Sequence, residues 1–184
     1  MSPLPQPASD TPPGTPGAPA DPADPPDPTE PPDPAAPVDA LRLDQQICFS
    51  LHAASRAFDG LYRVLLKDLG LTYPQYLAML VLWEDGELPV RDAGRRLRLD
   101  SGTLSPLLKR LEAAGYVRRR RSPEDERSVL VSPTREGWAL RERARSIPVR
   151  IGAAAGIEAD DLHGLRERLD RLTRALDDAV RDRT

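Results

Sequence analysis

Apolar and polar positions alternate in blocks along this chain, and each block predicts an element. Over residues 39–69 the apolar positions recur every three or four residues and Gly70 follows them. This pattern predicts one long first helix that Gly70 ends. Pro74 then stands at a first-turn position, and the segment Tyr76–Trp83 is apolar nearly all round. We therefore expect a second helix that is buried.

A helix-turn-helix pattern follows Gly86, which breaks the second helix. Residues 88–90 can add a short strand, residues 91–97 predict a supporting helix, and residues 97–100 form the turn. Asp100 or Ser101 is a natural N-cap for the next helix, and Gly115 closes it at the C′ position. At about 100° per residue, four leucines of that helix fall on one side and pack on a core. They are Leu104, Leu107, Leu108 and Leu111.

The opposite side of this helix is small, hydroxylated and basic. Small residues let the backbone approach base edges, and hydroxyl or ammonium groups can bond bases or phosphates, so this face can enter a major groove. Pro106 lies inside the helix, where it removes a backbone hydrogen bond and costs about 3 kcal/mol or bends the helix. The candidate DNA-binding residues here are Ser101, Thr103, Ser105, Pro106, Lys109 and Arg110.

A basic hairpin comes next, because residues 116–121 and 128–132 are short β-prone runs around the sequence Ser-Pro-Glu-Asp-Glu-Arg. Its four consecutive arginines alternate faces, so at least two can point to a phosphate backbone, while Arg127 can reach a minor groove. Such a charge run is, by itself, usually a solvated edge that blocks aggregation. Directly after a groove-compatible helix we favour DNA binding. The candidate residues are Arg118, Arg120, Asp125 and Arg127.

The C-terminal part predicts further helices. Residues 136–149 predict one helix that is interrupted near Pro148 and loosened by the Gly/Ala run at 152–156. An amphipathic helix with a strong apolar side follows. Helices at both ends of a small domain are best explained by pairing between two subunits, so we expect a homodimer. The apolar positions of this last helix are Leu162, Leu165, Leu169, Leu172, Leu176 and Val180.

Composition sets residues 1–38 apart from the remainder. The first 37 residues hold 15 of the 21 prolines, so we expect residues 1–38 to form a disordered tail and residues 39–184 one domain. The tail has six of the 29 acidic residues and no Lys or Arg, which leaves 26 basic and 23 acidic residues elsewhere. The tail lacks a signal-peptide pattern, and no apolar run is long enough to cross a membrane. We expect a cytoplasmic protein that does not bind membranes.

Cys48 is the only cysteine, so no disulfide can form within the chain. A lone cysteine among apolar neighbours is by default a small buried hydrophobe. His52, one turn further along, can favour a thiolate, although a lone histidine is more commonly a satisfied interface residue. One cysteine with His52 and His163 gives no ligand-spaced cluster, so we expect no metal. No phosphate-cradling glycine loop or serine-nucleophile motif appears, and we expect no cofactor.

Taken in order, these motifs resemble the winged helix-turn-helix of the MarR family of bacterial transcription regulators. Asp125-x-Arg127 matches the family's wing signature, and ICFSLHAASRAF, LTYPQYLAMLVLWE and LDSGTLSPLLKRLE resemble its organic hydroperoxide sensor branch, OhrR. That branch carries proline at the place of Pro106. The resemblance implies an α+β, mostly α fold: a DNA-binding part at about 72–133, with dimerisation helices at about 39–69 and 134–182.

The same resemblance implies a function. Organic hydroperoxide would oxidise Cys48 to a sulfenic acid, and the phenols of Tyr62 and Tyr73 would hydrogen-bond the reduced sulfur. The chain departs from some relatives at His52, where a tyrosine is expected. Tyr62 lies fourteen residues from Cys48, about 21 Å along a helix axis, so it would meet the cysteine of a second copy. We expect a dimeric repressor that leaves a pseudo-palindromic double-stranded operator on oxidation.

Three other functions stay open. A repressor can instead be relieved by a phenolic or lipophilic ligand bound between the dimer helices, with Cys48 structural. A thiol peroxidase is disfavoured, because the chain has no resolving cysteine and the basic hairpin would be unexplained. A winged helix that makes only protein contacts, with the tail as a scaffold, is the third alternative.

Overall fold

The computed structural model describes residues 41–183, apart from the side chains of residues 159 and 160; the predicted tail, residues 1–38, lies outside the described part. Three strands and seven α-helices make up the described domain, together with two single turns of 3-10 helix. The turns are Leu43–Gln45 and Lys67–Leu69. The other elements are α1 (Ile47–Leu65), α2 (Tyr73–Asp85), β1 (Leu88–Pro89), α3 (Val90–Leu97), α4 (Ser101–Ala113), β2 (Val117–Arg121), β3 (Val129–Pro133), α5 (Arg135–Ala144), α6 (Ile147–Ala155) and α7 (Ala159–Arg181).

The strands form one antiparallel sheet in the order β1-β3-β2. Val131 of the central strand pairs with Leu88 on one side and Arg119 on the other, and its side chain is fully buried. The sheet packs beside α2 and α4, whose leucines supply much of the core. The expected α+β, mostly α, winged helix-turn-helix fold is confirmed.

The N-terminal helix is shorter than the sequence predicts. The pattern over residues 39–69 indicated one continuous helix, but α1 covers 47–65 only, and a 3-10 turn stands at each end of it. Gln46, directly before α1, has an extended backbone (ψ 111°). After α1 the chain forms a 3-10 turn, and Leu66 and Leu69 are buried there. Gly70 adopts the left-handed conformation (φ 65°) and ends this region, as expected.

Helix α2 is largely buried, as its apolar sequence predicts, although Leu80 is exposed. A reciprocal cap starts it: the Gln75 side chain accepts the Thr72 backbone N–H at 2.8 Å, and Pro74 occupies the first turn. Tyr76, Met79 and Leu82 are almost completely buried. The indole of Trp83 donates to the carbonyl oxygen of Gly137 at 2.8 Å, which ties α2 to α5.

Helix α4 forms as expected despite Pro106. Asp100 caps it by accepting the Thr103 backbone N–H at 2.9 Å, and Gly115 follows it with φ 78°. Pro106 has no N–H, so the carbonyl of Gly102, four residues earlier, lacks its usual helical hydrogen bond. Both residues are exposed. Because Gly102 lies at the surface, water can satisfy that carbonyl and the helix continues.

The region after the hairpin agrees with the prediction in part. The expected interruption near Pro148 lies at residues 145–146, because α5 ends at Ala144 and α6 begins at Ile147. Pro148 itself does not break a helix. It sits in the first turn of α6, where its missing N–H has no helical partner to lose. The Gly/Ala run expected to loosen the chain is helical up to Ala155, and Gly156 ends it with φ 64°.

Candidate functional site

Helices α3 and α4 meet at a tight turn that places the candidate recognition surface. Arg98 is left-handed at φ 56°, and it is the one non-glycine residue with positive φ among residues 41–183. Gly94 allows the close approach, because a Cβ there would lie 3.0 Å from the carbonyl oxygen of Leu99 and 3.4 Å from the Leu104 side chain. The sequence pattern located the turn but missed the roles of Gly94 and Arg98.

The predicted DNA-binding residues of α4 share one open surface. Ser101, Thr103, Pro106, Lys109 and Arg110 are exposed, and Ser105 is half-buried. The Thr103 hydroxyl donates to Asp100 at 2.9 Å, so only its acceptor positions remain for another partner. The leucines opposite are buried. The structure therefore brings these six residues together, and their contact with DNA stays a prediction.

The four arginines of β2 divide between two faces, as period 2 requires. Arg119 points toward α4, where its guanidinium donates to Glu112 at 2.9 and 2.7 Å, and this bond holds the pKa of the carboxyl below its usual range. On the other face Arg118 donates to the Ser132 hydroxyl at 3.1 Å. Arg120 donates to both carboxylate oxygens of Glu87 at 3.0 and 2.5 Å.

Sequence reasoning missed the partners of these arginines. Glu87 lies in the loop before β1 and Glu112 lies in α4, 33 and 7 residues from the arginines that they bind. Strand alternation indicates which arginines share a face, but it does not identify an acid from a distant loop. Arg118 and Arg120, predicted to contact phosphates, are thus engaged within the chain.

The hairpin tip is a compact turn that presents Arg127. Asp125 accepts the Arg127 backbone N–H at 3.0 Å, and its own carbonyl accepts the Ser128 N–H at 2.8 Å. Asp125 therefore fixes the main chain at Arg127 rather than its guanidinium. Among the side chains that the structure describes, the Arg127 guanidinium has no hydrogen-bond or ion-pair partner, and neither has the Lys109 ammonium. These two cations are available to an external anion.

Cys48 lies in the first turn of α1 and is exposed in the single chain. The default expectation of a buried small hydrophobe is therefore wrong for the isolated chain. His52, one turn further along, is exposed as well. Its two neighbours in sequence, Ile47 and Phe49, are apolar and exposed, at 68% and 43%. The described part of its own chain therefore leaves Cys48 and these two side chains uncovered.

Tyr62 and Tyr73 are brought together at the other end of α1. Their rings stack at 4.2 Å between centroids, and Tyr76 lies 5.8 Å from Tyr62. Burial, followed by the neighbouring tyrosines, raises the pKa of Tyr62 to about 12. Burial and the charge of Asp59 also raise the pKa of Tyr73. Both phenols keep their protons at neutral pH and can donate hydrogen bonds.

The structure does not bring Cys48 to these phenols within one chain. Cys48 and Tyr62 both lie in α1, fourteen residues and about 21 Å apart along its axis. Across residues 41–183 no group of three or more His, Cys, Asp or Glu could hold a metal ion. In the same part of the chain no helix is both long and apolar enough to cross a membrane.

Comparisons with known proteins agree with this architecture. A family model described as the transcriptional regulator SarA/Rot matches residues 60–143. The organic hydroperoxide resistance transcriptional regulator of Bacillus subtilis (strain 168) is 47% identical over 138 residues, which are 75% of this chain and 94% of that protein. The chain belongs to the MarR family of transcriptional regulators. The predicted resemblance to its organic hydroperoxide branch is confirmed.

Other proteins similar to this MarR regulator are transcriptional regulators as well. The transcriptional regulator TtmR of Methylorubrum extorquens (strain PA1) is 48% identical over 131 residues, covering 71% of this chain and 67% of TtmR. The solved structure of reduced AbfR bound to DNA is 35% identical, with a TM-score of 0.63, and covers 74% of this chain and 95% of AbfR. These relatives are regulators, so the MarR chain is a transcription regulator rather than an enzyme.

Proposed function

We propose that this MarR regulator is a homodimeric repressor that binds a pseudo-palindromic operator and leaves it when an organic hydroperoxide oxidises Cys48. The observation that carries the proposal is the exposed thiol of Cys48, flanked in α1 by the exposed side chains of Ile47 and Phe49. These apolar neighbours suit a lipophilic peroxide. The name of the Bacillus subtilis relative supports the same effector class.

The open surface of α4 and the hairpin tip support the mode of DNA binding. The hydroxyl and basic groups of α4 suit major-groove edges and phosphates, and Arg127 at the tip suits a minor groove. Reduced AbfR, a MarR-like relative, was solved bound to DNA. Two copies would place two α4 helices in half-sites about 34 Å apart.

Exposed apolar faces at both ends of the domain support the homodimer. Along α7 the exposed side chains include Leu165 at 40%, Leu176 at 58% and Val180 at 65%. Apolar stripes of this length on two helices are a surface that a second copy can cover. In a symmetric pair residue i meets j and j meets i, so Tyr62 of each subunit can lie beside Cys48 of the partner subunit.

The redox step is the ordinary oxidation of a thiolate by a hydroperoxide. The Cys48 sulfur attacks the terminal peroxide oxygen, an S–O bond forms and the O–O bond breaks. The sulfur is oxidised to a sulfenic acid, the peroxide is reduced, and its alkoxide takes up a proton to leave as an alcohol. The protonated phenols of Tyr62 and Tyr73 can donate to the reduced sulfur. An added oxygen disturbs this contact between subunits and so alters the spacing of the two α4 helices.

The test compares wild type and Cys48→Ser on an operator selected from random duplexes. We expect both to bind it when reduced, and only wild type to release it on titration with cumene hydroperoxide. Intact-mass measurement should show one added oxygen on wild type at the point of release. Release of Cys48→Ser by the peroxide would contradict the sensing role, whereas failure of wild type to retard any duplex would contradict DNA binding itself.

A second candidate effector is a small lipophilic molecule, favoured by an apolar groove between α1 and α6. The groove has a volume of about 240 Å³ and is lined by Phe58, Leu61, Ile151 and Ile157, among others. Ligand sites for drug-sized molecules usually span about 300–1,000 Å³, so this groove suits only a small molecule. If Cys48→Ser ignores peroxide but leaves its operator on adding a phenolic compound, this second route operates.

A further inference from the structure

Glu87 stands directly before β1, beside the face of the sheet that carries Arg118 and Arg120. The strand register places Arg118 opposite Ser132 and Arg120 opposite Leu130 in β3, and β1 pairs with β3 on its other edge. Arg118 and Arg120 therefore share a face, and Arg119 points the other way to Glu112. The carboxylate of Glu87 lies within reach of the two arginines that share this face.

The contacts form a polar network on this face of the sheet. Arg120 engages Glu87 with Nε at 3.0 Å and Nη2 at 2.5 Å, a two-point pairing that fits a carboxylate closely. Ser132, which is buried, accepts from Arg118 on the same face of the sheet. Hydrogen bonding from Arg120, with the positive charges of Arg120 and Arg118, lowers the pKa of Glu87. The carboxylate is therefore ionised at neutral pH, and the network persists there.

This network competes with DNA for the same cation. A phosphate offers the same two-point geometry as a carboxylate, so Arg120 cannot pair fully with both at once. Both side chains remain accessible, Arg120 at 45% and Glu87 at 33%, so the pairing can be exchanged. Lys109 and Arg127 have no such internal partner in the described domain and stay available to DNA.

We propose that Glu87 is a specificity residue that withholds Arg120 from the phosphate backbone. Phosphate contacts attract any duplex and carry no sequence information, whereas base contacts discriminate. Occupying one arginine internally lowers affinity for random DNA and leaves the contacts of α4 and the hairpin tip unchanged. The inference rests on the DNA binding proposed above.

The experiment measures the affinity of Glu87→Gln for a random-sequence duplex between about 50 and 200 mM salt. Release of Arg120 onto a phosphate should steepen the slope of log affinity against log salt by about 0.9, which is about 3.5-fold over that range. Affinity for the selected operator should rise by a smaller factor than affinity for random DNA, so that the ratio of the two affinities falls. Glu87→Ala is measured as well, because a glutamine can still hydrogen-bond Arg120.

Two controls separate a released arginine from a general charge effect. Glu124→Gln removes one exposed negative charge near the hairpin tip, but Glu124 has no arginine partner within residues 41–183. It should raise affinity without steepening the slope. Arg120→Ala should leave the wild-type slope unchanged and should abolish the steepening caused by Glu87→Gln.

The outcomes are distinct. An unchanged salt slope in both Glu87→Gln and Glu87→Ala would overturn the inference. A change in slope no larger than that of Glu124→Gln would overturn it as well. A flatter slope for Arg120→Ala in an otherwise wild-type chain would also overturn it, since Arg120 would then already contact DNA. If wild type binds no duplex under any of these conditions, it is the proposed function that fails.

Discussion

Gly137 lies where α5 passes closest to the start of the hairpin, and one added methyl group there tests that packing. A Cβ at Gly137 would overlap the carbonyl oxygen of Tyr116 and lie 3.4 Å from the terminal methyl of Met79. The Tyr116 carbonyl is fixed, because it accepts the Thr134 N–H at 3.0 Å. The Gly137 carbonyl is also fixed by the Trp83 indole at 2.8 Å. Neither backbone can move without breaking a hydrogen bond.

Two opposing terms set the magnitude for Gly137→Ala. Replacing glycine with alanine in a helix interior gains about 1 kcal/mol of helix propensity. Overpacking a core contact costs about 1–3 kcal/mol, and occasionally more when the obstacle is backbone. Because the obstacle is fixed backbone, we take the upper end of this cost, about 3 kcal/mol, which leaves a net loss of about 2 kcal/mol in the free energy of unfolding. For a domain of this size that corresponds to a fall of about 4–8 °C in Tm.

Urea unfolding followed by tryptophan fluorescence measures this change, at equal protein concentration for every variant. Gly152→Ala is the matched control, because a Cβ at that position in α6 meets nothing within 4 Å. It should be more stable than wild type by about 0.5–1 kcal/mol. If Gly137→Ala is as stable as wild type or gains like Gly152→Ala, the close contact between α5 and the hairpin is refuted.

Two further predictions concern the site. Arg127→Ala should lose about 1–3 kcal/mol of operator binding while the dimer, measured by light scattering, stays intact. If Arg127→Ala binds the operator as tightly as wild type, the hairpin tip does not contact DNA. The pKa of Tyr62 is about 12 in the folded protein, against 10.0 for an ordinary tyrosine. The protonated phenol therefore stabilises the folded state fully below pH 10, and this stabilisation is lost as the pH rises toward about 12. Tyr62→Phe should therefore lose less stability than wild type between those two pH values in urea titrations.

Local sequence determined the elements whose signals lie within a few residues. The cap at Asp100, the stop at Gly115 and the apolar side of α4 follow from helix periodicity and backbone geometry, so the helix-turn-helix could be predicted. The alternation of β2 likewise separated Arg118 and Arg120 from Arg119. Even Pro106 did not mislead, because the neighbouring signals for a helix agreed with each other.

Tertiary structure decided what depends on residues far apart in the chain. The sequence offered no sign that Glu87 would occupy Arg120, or that the carbonyl of Gly137 would accept the Trp83 indole, because such pairs form only once separate elements pack. The end of α1 at Leu65 is also decided by tertiary packing. Periodicity favours a helix that continues to residue 69, but the chain instead forms a 3-10 turn in which Leu66 and Leu69 are buried. The exposure of Cys48 is also a tertiary property. An apolar neighbourhood in sequence becomes a buried one only if another surface covers it, and the described part of this chain leaves that face of α1 open.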